Sequence, residues 1–145
     1  MAFEVGGTTP AAASAAAYAT LNTGANRRGK IRELGWTTTA ATASSVGLGV
    51  PANTPVASTT ITPLAQDSQD ATGSVLLGTA WSTAPTAPTT FFRKLTVGAA
   101  IGAGIAWPWP SDARLTMQKS TWLTLWNYGG AAGSALDVYV QLSEE

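Results

Sequence analysis

Punctuation is what most constrains the fold of this chain. Glycine, proline and Asn/Asp clusters interrupt it at intervals of roughly 8–14 residues, with short alternating apolar and polar runs between them. Such a rhythm leaves little room for long helices and predicts antiparallel strands. The clearest run is Ser134–Leu142, in which Leu136, Val138, Val140 and Leu142 share one face. Thr121–Tyr128 sets Trp122, Thr124, Trp126 and Tyr128 on one face and Leu123 and Leu125 on the other. With Gly129–Gly133 between them, these two runs read as a closing hairpin.

The same pattern assigns strands to Ala2–Val5, Lys30–Trp36, Val46–Val50, Ser58–Leu64, Ser74–Ser82, Phe91–Val97 and Ile105–Trp109. Gly6-Gly7 is expected to end the first, and Pro63 marks the Ser58–Leu64 strand as a sheet edge. In Ser74–Ser82 the residues Val75, Leu77, Thr79 and Trp81 fall on one side. Ser111–Ser120 reads as a polar connection in which Leu115 and Met117 dip inward. The alanine tract after Thr9-Pro10 is ambiguous: a Thr cap followed by Pro favours a short helix, whereas Ala15–Leu21 also fits a small-residue strand. Strand is preferred because everything after it is β. The expected fold is an all-β antiparallel sandwich of eight or nine strands with at most one short N-terminal helix. A jelly roll is the first choice within that class and an Ig-like sandwich the second.

All 145 residues fit a single domain, with residues 1–26 as an N-terminal strand or arm of the same unit and 27–145 as the sandwich. Six Trp, three Tyr and three Phe argue against a disordered stalk. The start carries no basic leader pattern. The longest uncharged apolar stretch, between Lys94 and Asp112, is broken by Pro108 and Pro110, so no membrane partner is expected.

Chemistry is poorly provided for. Cys and His are both absent, which removes thiolate nucleophiles, His-based triads, disulfides and soft-ligand metal sites. Asp67 and Asp70 share a polar loop without the repeated oxygen ligands of a calcium loop. Glu144 and Glu145 read as a frayed terminal pair, and Asp137 as a cross-strand or interface hydrogen-bonder. Gly98–Gly104 lacks the helix and Lys-Ser/Thr of a phosphate cradle. No catalytic residue, cofactor or metal site is therefore predicted, and the chain is not expected to be an enzyme.

Two features point to contact with other molecules. The first is the basic cluster Arg27, Arg28, Lys30 and Arg32; with zero net charge it fits an acidic protein surface better than nucleic acid. The second is tryptophan, too abundant for one 14.8-kDa core to enclose completely. Trp122, Trp126 and Tyr128 form a stripe suited to a subunit interface, where Trp and Tyr dominate binding energy, or else to the sandwich core, with Leu123 and Leu125 then facing outward. About half of these aromatics are expected in the core and the rest at an interface. Because both faces of Thr121–Tyr128 are apolar, the outer one needs a cover, and a second copy of the chain would serve.

Thr39–Leu48, Pro51–Thr59, Thr79–Pro85, Ala99–Gly104 and Leu123–Asn127 with the Gly-Ala-Ala-Gly-Ser loop after it resemble segments of small tailed-bacteriophage virion proteins. The likeness runs from about Arg27 onward and is to head decoration (cement) proteins. It implies a compact β-sandwich that assembles as a dimer or trimer on the outer surface of the capsid, with the major capsid protein as partner. It implies no catalytic residues, and residues 1–26 would suit an arm along a neighbouring subunit. On that basis Trp122, Trp126 and Tyr128 are assigned to self-association and Arg27, Arg28 and Lys30 to the shell. The rival reading is a receptor- or carbohydrate-binding module of a phage tail or spike, displaying an aromatic platform beside Asn, Asp or Gln.

Overall fold

The computed structural model describes residues 1–145 and contains twelve strands and no helix. They are β1 (Ala2–Thr8), β2 (Ala17–Asn22), β3 (Gly29–Thr38), β4 (Ser44–Gly49), β5 (Val56–Ile61) and β6 (Leu64–Ala65). There follow β7 (Leu76–Thr83), β8 (Phe91–Val97), β9 (Gly104–Pro108), β10 (Leu115–Met117), β11 (Trp122–Asn127) and β12 (Leu136–Glu144). The first sheet runs β10-β3-β12-β1-β6, with β9 also paired to β3, and the second runs β5-β7-β2-β11-β4-β8. Every pairing is antiparallel. The protein is thus an all-β, two-sheet antiparallel protein.

The period-2 runs decide what is buried. On β12 the side chains of Leu136, Val138, Val140 and Leu142 all point into the core. Val140 sits between Val5 of β1 and Leu34 of β3, and Leu142 between Phe3 and Ile31. From the second sheet, Leu123 and Leu125 of β11 point inward beside Leu21, Ala19 and Leu48. Trp36 and Trp107 meet edge to face at 6.1 Å between ring centroids.

Several expectations are corrected. Twelve strands replace eight or nine, two of the additions being the very short β6 and the three-residue β10 that carries Leu115 and Met117. β1 continues through both glycines to Thr8, because Gly7 faces inward and leaves its space to the Ile61 side chain. The alanine tract forms no helix; it leads into strand β2. Ser58–Leu64 is not one strand: the chain changes sheets at Thr62-Pro63, from edge strand β5 to edge strand β6. Trp81 does not share the face of Leu77; register shifts along β5 and β7 turn it outward, where its Nε1 donates to Thr20 Oγ1 at 2.9 Å.

The largest correction concerns the last two strands, which form no hairpin. β11 belongs to the second sheet and β12 to the first. Indeed no two strands consecutive in the chain are paired with each other. The chain repeatedly arches from one sheet to the other, so that consecutive strands supply the two walls of one core. Residues 1–26 contribute two strands to this core: β1 pairs along seven residues with β12, and β2 lies between β7 and β11.

Candidate functional site

The outer face of the second sheet is built on small residues. Gly47, Gly49, Gly78, Ala17 and Thr20 make its floor; Phe91 and Tyr128 lie over Gly47, Trp81 reaches Gly78 and Thr20, and Pro88 covers Gly49. A side chain at Gly47 would meet Phe91 at 2.6 Å and Tyr128 at 3.2 Å, so glycine there makes room for both rings. Phe91 and Tyr128 stand 5.9 Å apart between centroids. Lys94 Nζ lies 4.2 Å from the Tyr128 centroid and 5.3 Å from that of Phe91, a cation over two ring faces. Tyr128 Oη and Thr96 Oγ1 are 2.8 Å apart. The six strands of this sheet contain no acidic residue, and their only charges are Arg93 and Lys94.

Trp122, Trp126 and Tyr128 do share this outer face, while Leu123 and Leu125 face the core. They are not equally available. Trp126 is only 5% exposed, covered by its own chain, whereas Trp122 and Tyr128 are half-buried. Trp122 borders a cleft of about 250 Å³ with Asn22, Pro55, Val56 and Leu76. The cover expected from a second copy is therefore not needed for Trp126, which the chain buries itself.

The basic cluster divides as well. Lys30 pairs with Glu145, and this hydrogen bond, with the attraction of the ammonium, holds the Glu145 carboxyl below the usual carboxylate range. Arg27 and Arg28 are exposed and form no ion pair, although Arg28, whose backbone pairs with that of Glu145, adds to the lowering of that carboxyl. Their loop leaves β2 at Asn22, directly opposite Trp122 on β11, so the free cations and the Trp122 end of the aromatic face belong to one end of the sandwich.

Two polar residues escaped the sequence reading. Glu144 is not frayed. It is buried and accepts hydrogen bonds from Ser74 N at 2.6 Å, Ser74 Oγ at 3.0 Å and Val75 N at 2.8 Å. Asn127, fully buried, ties together the alanine segment and the β11–β12 loop. The other acids are local. Asp67 accepts Gln69 N at 3.0 Å within its turn, and Asp137 accepts Thr8 Oγ1 at 2.6 Å from the neighbouring strand. No three Asp or Glu side chains converge on a point that would hold a metal ion. No helix is long and apolar enough to cross a membrane.

Fold and faces together define a class, a two-sheet antiparallel β protein with one aromatic-clad, nearly uncharged outer face. Comparison with protein families, with curated proteins and with solved structures gives no match.

Proposed function

We propose that the chain is a structural virion protein, a capsid decoration protein that binds the outer lattice of a phage head and stabilises it through oligomeric contacts. Its partners in this reading are the major capsid protein and further copies of itself. One observation carries it: charge is balanced overall yet left unpaired. Eight basic and eight acidic side chains form a single ion pair, and Arg27 and Arg28 stand exposed and unpaired at the Trp122 end of a face whose strands carry no acids. Charges held apart rather than neutralised internally are available to complementary surfaces, where they steer association. The sequence resemblance to cement proteins points the same way.

In this reading Arg27 and Arg28 meet the acidic shell, with Lys30 fixing their strand through Glu145. Trp122 and Tyr128 supply self-association, and Trp126 supports them from beneath. Stable contacts bury about 800 Å² per partner, and symmetry multiplies modest sites into firm attachment. Sedimentation velocity is expected to show a dimer or trimer that Trp122→Ala with Tyr128→Ala converts to monomer. The double change Arg27→Glu with Arg28→Glu is expected to weaken co-sedimentation with empty heads by at least about tenfold. A wild-type monomer that does not associate with heads would sink the reading.

A further inference from the structure

The opposite face of the molecule, the outer side of the first sheet, carries different chemistry. Three successive rungs lay it out. Glu4, Gln141 and Glu33 lie side by side on one; Gly6, Tyr139, Gly35 and Ala106 on the next; Thr8, Asp137 and Thr37 on the third. Same-face residues along a strand are about 7 Å apart, so a polar row flanks the Tyr139 rung on either side at that spacing.

Tyr139 lies down rather than standing up. A methyl group at Gly35 would overlap its ring, so the phenol lies across the glycine. It is nonetheless 40% exposed, more than any other aromatic side chain except Phe92. Two open troughs meet at this ring: one of about 480 Å³ leads past Thr37, Asp137 and Ile105, the other of about 740 Å³ past Glu4, Gln66 and Leu64. The carboxylates of Glu4 and Glu33 have no cationic partner. Partial burial, then the Glu33 carboxylate, with a smaller contribution from Glu4, pushes the Tyr139 phenol above its ordinary pKa, so it stays protonated.

We propose that this face is a carbohydrate-binding site for a neutral glycan, with one pyranose ring stacked on Tyr139 and its neighbours in the two troughs. A pyranose is a disk with an apolar face and a rim of hydroxyls. Tyr139 offers the flat apolar partner, and the flanking rows offer carboxylate, amide and hydroxyl groups at the distance of that rim. Carboxylates accept hydrogen bonds from sugar hydroxyls, and such charge-assisted bonds are stronger than neutral ones. Glu4, Glu33 and Asp137 repel sialylated, sulfated or phosphorylated glycans. A cationic peptide would pair with the carboxylates, but the amide of Gln141 and the hydroxyl of Thr37 interleaved among them match hydroxyl donors better. The site lies on the sheet opposite Trp122 and Tyr128, and it stands or falls independently of the shell-binding reading.

The test is calorimetric titration of the full chain with maltohexaose, cellohexaose and hexa-N-acetylchitohexaose, alongside a heparin hexasaccharide and octalysine. At least one neutral hexasaccharide is expected to bind. Tyr139→Ala is expected to weaken that binding about tenfold or more, and Tyr139→Phe by no more than about threefold, since the ring and not the hydroxyl supplies the platform. Phe92→Ala, at an exposed position on the other sheet, is expected to bind as the wild type does, and thermal melts of each variant verify folding. The proposal is overturned if none of the three neutral probes binds, if only heparin or octalysine binds, or if folded Tyr139→Ala binds unchanged.

Discussion

Replacing Asn127 by alanine is expected to destabilise the fold by about 3–5 kcal/mol, near the upper end of single-residue effects. The side chain is fully buried, and its Nδ2 donates towards Ala12 O at 3.2 Å, Ala13 O at 3.1 Å and Ala131 O at 2.9 Å. Its Oδ1 accepts Gly129 N at 3.0 Å. One amide thus satisfies backbone groups from two segments that have no regular structure to satisfy them. Alanine would leave several of these groups unpaired, each at a desolvation cost of about 1–3 kcal/mol before relaxation. Asn127→Asp should be no better, because a carboxylate turns acceptor oxygens towards three carbonyls. Asn53 is the control: it also bridges its neighbourhood, accepting Thr86 N and donating to Ala84 O, but at the surface. Its alanine variant should cost no more than about 1 kcal/mol. Urea unfolding decides the matter. A large fall in midpoint at unchanged slope for Asn127→Ala is expected, and equal effects at the two sites would contradict it.

Trp36 provides the second large effect. It is 1% exposed at the heart of the first sheet, against Trp107, and Trp36→Ala is expected to cost about 3–5 kcal/mol through the cavity it opens. Its indole Nε1, however, is buried without a hydrogen-bond partner. Trp36→Phe removes that unsatisfied donor along with part of the ring, so the two changes oppose each other. The phenylalanine variant is therefore expected within about 1.5 kcal/mol of wild type, much milder than a buried Trp usually allows. A loss as large as that of the alanine variant would show that the N–H is satisfied and matters.

Local facing was legible in the sequence, and sheet membership was not. Leu136, Val138, Val140 and Leu142 announce a buried face by alternation alone, whereas Thr121–Tyr128 is apolar on both faces and does not say whether Leu123 and Leu125 or Trp122 and Trp126 meet the core. Alternation tells which side of a strand meets the core, but strands from both sheets meet the same core. The glycine-rich loop between β11 and β12 thus looks like a hairpin turn while it carries the chain from one sheet to the other. Glu144 was illegible for a related reason. Beside Glu145 it has the look of a solvated tail, and only the distant amides of Ser74 and Val75 make its burial sustainable. The aromatic face left a readable signal that was not used. Gly47 and Gly78 interrupt strands just where the rings of Phe91, Tyr128 and Trp81 come close to the sheet. Tyr139, singled out by no motif, becomes conspicuous only when Gly35 is found beneath it.

Attachment to a shell is the central claim, and cryo-electron microscopy of the intact particle tests it most directly. The account predicts ordered density for this chain on the outer capsid surface at capsomer junctions. In that density Arg27 and Arg28 face the shell, and neighbouring copies touch through Trp122 and Tyr128. Density at the tail tip, or a capsid surface bare of this protein, would contradict it.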